Sequence, residues 1–284
     1  MDRESTGCIG TKKVTVFVGS ARRKGATSRA AGTFLERLES YGGIEGEIVF
    51  LSDYHIGVCN GCKRCTNRGE ECCPLKDDRD ILIGKMMASD GVVFASPNYS
   101  FQVSAIMKIF LDRLAFVFHR PRFHGKTFSA IVVQGIGMGC RIVKYLEFVG
   151  GGLGFNVVKG SCSRTLEPMS RKARDRMERN LAEQSRRFHD RLQRPAFPTP
   201  SFLGLLMFRM ARTGYRKALG EDMRDHGYFR DRGWFESDFY YPVRLGPFKK
   251  AAGALFDRAA ARCFRPRTSD PGTHDLASPC GGTL

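Results

Sequence analysis

Lys13-Val14-Thr15-Val16-Phe17-Val18-Gly19-Ser20-Ala21-Arg22-Arg23-Lys24-Gly25-Ala26-Thr27-Ser28 is the stretch that decides the fold. Its first six residues form a short, β-branched apolar run, as in a strand buried on both faces. After the loop, Ala31, Phe34, Leu35 and Leu38 recur at helical spacing over residues 27–39. The loop has neither the G-x-G-x-x-G spacing of a dinucleotide turn nor the G-K-[ST] of a nucleotide triphosphatase. It offers hydroxyls at Ser20, Thr27 and Ser28, cations at Arg22, Arg23 and Lys24, and backbone N–H groups at a helix start. Such a collection suits a terminal phosphate, because a helix N-terminus adds positive potential.

Downstream, the strand and helix patterns keep alternating. Residues 47–51, 91–96, 128–133 and 155–158 read as strands, and residues 80–87, 104–118 and 143–148 as helices. This alternation predicts an α/β domain over residues 13–165, a doubly wound, five-stranded parallel sheet with helices on both faces. A short tail, 1–12, precedes it. Residues 170–193 are highly charged and read as a helix. Arg194-Pro195-Ala196-Phe197-Pro198-Thr199-Pro200 then reads as a linker, so that 166–200 form a charged helix and Pro-rich connector. In the extension, 201–266, residues 202–211 are strongly apolar but too short to span a bilayer. With Arg209 embedded among them, they read as a helix packed on protein. Tyr228, Phe229, Trp234, Phe235, Phe239, Tyr240 and Tyr241 are expected to fill a small accessory core, and residues 267–284 to be disordered.

Composition narrows the class. The 284 residues are 42% hydrophobic, enough for a sizeable core. The opening Met1-Asp2-Arg3-Glu4-Ser5-Thr6 does not resemble a secretory signal, and no apolar stretch reaches eighteen residues. A cytoplasmic protein without a membrane span is expected. The net charge is +17; residues 171–284 hold 23 Lys/Arg against 13 Asp/Glu, a surplus of 10. A basic surface suits acidic partners, although no nucleic-acid-binding motif is present and no nucleic-acid partner is expected.

Half of the ten cysteines fall within fifteen residues: Cys59, Cys62, Cys65, Cys72 and Cys73. The spacing is C-x2-C-x2-C-x6-C, or x7 if Cys73 is the fourth member. Three thiolates recurring every third residue, with a fourth nearby, favour a cubane iron–sulfur cluster. Zinc sites more often use two separated pairs, but zinc remains an alternative, as do free thiols or a disulfide. Cys72 is taken over Cys73 as the fourth ligand by a narrow margin. His55, next to this loop, reads as a lone surface histidine.

The loop Ala95-Ser96-Pro97-Asn98-Tyr99-Ser100 leads into a helix carrying Ser104, Lys108, Phe110, Asp112 and Arg113. This pattern resembles the flavodoxin-like family of NAD(P)H-dependent FMN reductases, and residues 19–27 resemble the same family's phosphate loop. Ala21 and Ala26 depart from it, standing where proline and asparagine are common. The cysteine motif, followed by Asp77-Asp78, resembles the iron–sulfur flavoprotein branch. The resemblance covers residues 13–160. It implies FMN held by Ser20, Arg22, Lys24, Thr27 and Ser28 at its phosphate. Its ring would lie against Pro97, Asn98, Tyr99, Ser100, Gly135 and Gly137. A [4Fe-4S] cluster on Cys59, Cys62, Cys65 and Cys72 is also implied.

The expected activity is an FMN-dependent oxidoreductase. It would move electrons between NAD(P)H or a reduced carrier and an acceptor, either a small molecule or an acidic carrier such as ferredoxin. No catalytic side chain with a tuned pKa is needed for such transfer, and a homo-oligomer is expected. The alternatives are a non-enzymatic electron carrier or redox sensor, and a flavin reductase with structural zinc.

Overall fold

The computed structural model describes residues 10–166 and 168–264. The tail expected from residue 267 lies outside the described residues, as does most of the N-terminal tail. The elements run β1 (Lys12–Val18), α1 (Ala26–Glu39), β2 (Ile44–Phe50), α2 (Arg64–Asn67), α3 (Arg79–Ala88), β3 (Gly91–Pro97), α4 (Ala105–Arg113), α5 (Ala115–His119), β4 (Thr127–Gln134), α6 (Gly139–Gly152), β5 (Asn156–Val157), β6 (Ser161–Arg164), α7 (Arg171–Leu192), α8 (Phe202–Ala218), α9 (Arg224–Asp231) and α10 (Pro247–Cys263).

The chain divides into two compact units. The first holds residues up to Cys59, Asp77–Ala115 and Pro121–Ala196. The second holds Asn60–Lys76, Phe116–Arg120 and the chain from Phe197.

In the first unit all strands pair parallel, in the order β2-β1-β3-β4-β5, with β6 also on β4. The order reverses beside β1, so β1 and β3 leave the sheet at a topological switch point. The fifth position, expected as one strand over 155–158, is shared by β5 and β6. β6, Ser-Cys-Ser-Arg, carries no apolar run. It is held instead by its register with β4 and by Ser161 Oγ, which donates to buried Gln184 Oε1 at 2.6 Å. The helix expected over 104–118 is two helices that break at Leu114.

Strand side chains alternate between two apolar layers. Val14, Val16, Val18, Val93, Ala95, Ile131 and Val133 pack with α1 and α7. Phe17, Phe94 and Phe128 point the other way. Phe94 meets Phe17, Phe110 and Phe128 at ring separations of 5.9, 5.7 and 5.0 Å. Helix α7 is the charged segment read as the start of a connector. Its Met177, Leu181, Gln184 and Phe188 recur on one face and are buried, so the helix closes a face of the sheet.

The second unit has its own core. Leu205, Phe208, Phe229, Trp234, Phe235, Phe239 and Leu245 are buried, with Tyr215, Tyr228, Tyr240 and Tyr241 around them, as the aromatic clustering predicts. Arg209 is buried and ion-paired to both Asp238 and Asp257. α8 is a seventeen-residue amphipathic helix, and no described helix is long and apolar enough to cross a membrane.

Candidate functional site

At the carboxyl ends of β1, β3 and β4 the first unit has an open cleft of about 180 Å³. It is lined by Ser20, Arg22, Gly25, Ala26, Thr27, Arg29, Pro97, Asn98, Tyr99, Val133, Gln134, Gly135 and Thr165. This is where doubly wound sheets hold ligands. Of the residues singled out from the sequence, Ser20, Arg22, Thr27, Pro97, Asn98, Tyr99 and Gly135 share this wall. Lys24, Ser28, Ser100 and Gly137 do not line it.

The loop after β1 is shaped by its own bonds. Ser28 Oγ donates to the Arg22 carbonyl at 2.9 Å, and the Gly25 N–H donates to the same oxygen at 2.9 Å. A Cβ at Gly25 would press on that carbonyl, which accounts for glycine at the α1 N-cap. The three arginines have different fates. Arg23 pairs with Asp53 at 2.6 Å, and Arg29 Nη1 donates to the Lys24 carbonyl at 2.9 Å. Arg22 has no acidic partner among the described residues, leaving its charge available to an anion at the α1 N-terminus.

The loop after β3 is built as a tight hairpin turn. Tyr99 and Gln102 exchange backbone hydrogen bonds at 3.0 Å, and Ser100 and Phe101 between them have φ of 50° and 62°. Two successive left-handed residues define a type I′ turn, costly for non-glycine residues. The turn leaves Tyr99 and Phe101 55% and 64% exposed, and Tyr99 lines the cleft. Ser104, the α4 N-cap, ties this loop to the first. Its Oγ donates to the Gly19 carbonyl at 2.5 Å and accepts from Met107 N at 3.2 Å, and its N–H donates to Ser96 Oγ at 3.0 Å. Ser104 was read from the sequence only as part of the motif.

The loop after β4 joins the same network. Asn98 Nδ2 donates to the Gly137 carbonyl at 2.7 Å, and Asn98 N–H donates to the Val133 carbonyl at 2.8 Å. Gly137 therefore acts through its carbonyl, holding Asn98 in place. Asn98 Oδ1 is buried, lies in the cleft wall and has no hydrogen-bond partner among the described residues. A buried acceptor left open costs free energy unless a ligand satisfies it. Gln134 and Thr165 complete the wall. Gln134 is brought there by its register with Arg164, and its Oε1 accepts from Gly139 N at 2.6 Å. A phosphate-ready helix start, an open acceptor and an exposed aromatic ring in the wall fit FMN.

The cysteine loop is organised differently. Cys59 is exposed and is the last residue of its segment of the first unit; Cys62, Cys65, Cys72 and Cys73 belong to the second. Cys62 is exposed, Cys65 half-buried and Cys73 buried. Among the described residues no three His, Cys, Asp or Glu side chains converge where a metal ion could sit.

The ends of the loop are nevertheless firmly held. Asp77 accepts two hydrogen bonds from Arg113, each 3.0 Å, and one from Gly57 N–H at 2.9 Å; Asp78 Oδ2 accepts from His55 N–H at 2.7 Å. The pair thus pins residues 55–57 to 77–78. Burial alone would raise the Asp77 pKa, but the Arg113 bonds and charge, with the Gly57 and Arg79 amides, hold it below its ordinary value. In the second unit, fully buried Arg120 donates to the Cys65 carbonyl at 2.7 Å and Glu70 at 2.9 Å, and also pairs with Asp225. Neither arginine's role could be read from spacing, since their partners lie 36 or more residues away.

Comparison with known proteins agrees with this geometry. The family model described as NADPH-dependent FMN reductase matches residues 12–164. An iron–sulfur flavoprotein of Archaeoglobus fulgidus is 36% identical over 158 residues, 52% of this chain and 70% of that protein. Another, of Methanocaldococcus jannaschii, is 37% identical over 101 residues, 36% of this chain but 51% of that protein. Among solved structures, an NAD(P)H:quinone oxidoreductase from Methanothermobacter marburgensis superposes with a TM-score of 0.50 at 16% identity. The match covers 62% of this chain and 98% of that one, a likeness of fold alone. The chain belongs to the NADPH-dependent FMN reductase family and is an FMN-dependent oxidoreductase of that family.

Proposed function

We propose that this protein passes electrons from NAD(P)H to an acceptor through FMN held in the cleft at the ends of β1, β3 and β4. The observation that carries this reading is a cleft whose wall holds both the loop cation Arg22 at the start of α1 and Asn98, whose buried Oδ1 has no partner among the described residues. Arg22, the Ser20 and Thr27 hydroxyls and the N–H groups at the start of α1 hold the phosphate. Asn98 Oδ1 accepts an N–H of the ring, and the Gly135 backbone lets the ring approach closely. Tyr99 covers the ring's edge and limits water. FMN supplies the chemistry, accepting a hydride and releasing electrons singly or in pairs. No side chain has to donate or abstract a proton.

A cluster on residues 59–73 remains part of the proposal. Its support is the C-x2-C-x2-C spacing and the relatives named iron–sulfur flavoproteins. Cys72 or Cys73 supplies the fourth ligand, at x6 or x7 from Cys65. Anaerobic purification with iron, sulfide and flavin analysis tests both parts. FMN with iron and sulfide supports them. FMN with zinc alone removes the cluster and leaves the reductase. Equal affinity for FMN and riboflavin would sink the phosphate-loop assignment.

A further inference from the structure

Two thiols outside both the flavin cleft and the cysteine loop meet where β6 passes the start of α6. Cys140 is the second residue of α6 and is exposed; Cys162 is half-buried in β6, in register with Val132 of β4. Cys162 Sγ packs against Gly139, the residue before Cys140, which makes Cys140 its neighbouring thiol. Gly139 makes the approach possible: a Cβ there would overlap Cys162 Sγ and the Gln134 side chain. The Gln134 Oε1 bond to Gly139 N–H fixes the first turn of α6 to the end of β4, the strand that pairs with β6.

We propose that Cys140 and Cys162 form a redox-active dithiol that reduces small disulfides, with Cys140 the attacking and Cys162 the resolving thiol. The roles follow from position. Cys140 is open to solvent, so an incoming disulfide reaches it first. Burial, then the neighbouring Cys140 thiol, push the Cys162 thiol up to about 12. Cys162 therefore keeps its proton. In the first step the Cys140 thiolate attacks one sulfur of R–S–S–R. That S–S bond breaks, a Cys140–S–S–R mixed disulfide forms, and RS⁻ departs and takes a proton from water. In the second, Cys162 gives up its proton to the second departing RS⁻ and attacks Cys140 Sγ. The mixed disulfide breaks and the Cys140–Cys162 disulfide forms. Two electrons pass from the dithiol to R–S–S–R, giving two R–SH. Forming the bond brings the two sulfurs to about 2.05 Å.

The inference does not rest on the flavin reading, and its test uses no flavin signal. The full-length protein is incubated with glutathione disulfide, alkylated, and mapped with trypsin without reduction. Peptides 127–141 and 160–164 should appear cross-linked. In Cys162→Ser, Cys140 should accumulate a glutathione adduct. In Cys140→Ser, an exposed change that spares packing, Cys162 should react at least about tenfold more slowly than Cys140 does. A wild-type protein with glutathione on Cys140 and no cross-link would overturn the proposal. So would two unmodified thiols, or a Cys162 adduct in Cys140→Ser formed as fast as that on Cys140.

Discussion

The cleft loops and the cysteine loop are both candidate cofactor sites, yet only the first is assembled by the protein alone. Around the cleft the working parts are backbone groups and short side chains held by other backbone groups: Ser28 on Arg22, Ser104 on Gly19, Asn98 on Gly137. Such a site pays its ordering entropy during folding and stands ready for a ligand. Around the cysteines the ends are clamped by Asp77, Asp78 and Arg120, while the thiols themselves do not converge. Metal binding couples to the ordering of its ligands, so such a site is completed as it loads. One region is preorganised by fold; the other is framed by fold, and the cluster proposed for it would have to draw its thiols together.

The clamp is where this contrast breaks most easily. Arg113 and Asp77 have side chains only 3% exposed. Arg113→Met leaves the Asp77 carboxylate buried without its cation, which should cost about 3–5 kcal/mol. Chemical denaturation of the flavin-loaded protein would measure it, and a loss below about 1 kcal/mol would mean the pair carries little. A pH dependence follows. Because the folded pKa of Asp77 lies below its ordinary 3.8, the stability it contributes is present above that value. It is lost as pH falls through the lower folded value. The stability gap between wild type and Asp77→Asn should therefore be constant above about pH 5 and shrink below 3.8.

Much of the first unit was legible because its strands are buried on both faces and so appear as unbroken apolar runs. β6 escaped because Ser161-Cys162-Ser163-Arg164 has no such run; its place is fixed by pairing with β4 and by Gln184. Helix α7 was legible as a helix but not as part of the sheet's cover, since its charge masks the Met177–Leu181–Phe188 stripe. The cleft residues that sequence reading found lie on the loops directly after β1, β3 and β4. Those it missed, Gln134 and Thr165, arrive by register across the sheet, and Arg29 by the turn of α1. The clamp partners of Asp77 and Arg120 are tertiary contacts with no local signal.

On the cleft side the comparison is sharpened at the phosphate end. Arg22→Ala with Thr27→Ala removes one cation and one hydroxyl from a preformed anion site. A charge-assisted hydrogen bond is worth about 1.5–3 kcal/mol, so FMN affinity should fall roughly 10- to 100-fold. Riboflavin, which lacks the phosphate, should bind both proteins alike. Fluorescence titration with the two flavins separates the outcomes: equal losses for both would mean the loop shapes the cleft without reading the phosphate.

The smallest effect should come from Ser104→Ala, and it probes preorganisation rather than contact. Ser104 does not line the cleft, but its hydroxyl caps α4 and holds the Gly19 carbonyl. Losing an N-cap costs about 1 kcal/mol of stability. If the β1 loop is held ready partly by this bond, FMN must reorder it on binding. Affinity then falls about three- to fivefold, slower association accompanying an unchanged or modestly faster release. Stopped-flow binding reads the two rates directly. A stability loss with unchanged association would show that Ser104 supports α4 alone and that the loop keeps its shape through Ser28 and Gly25.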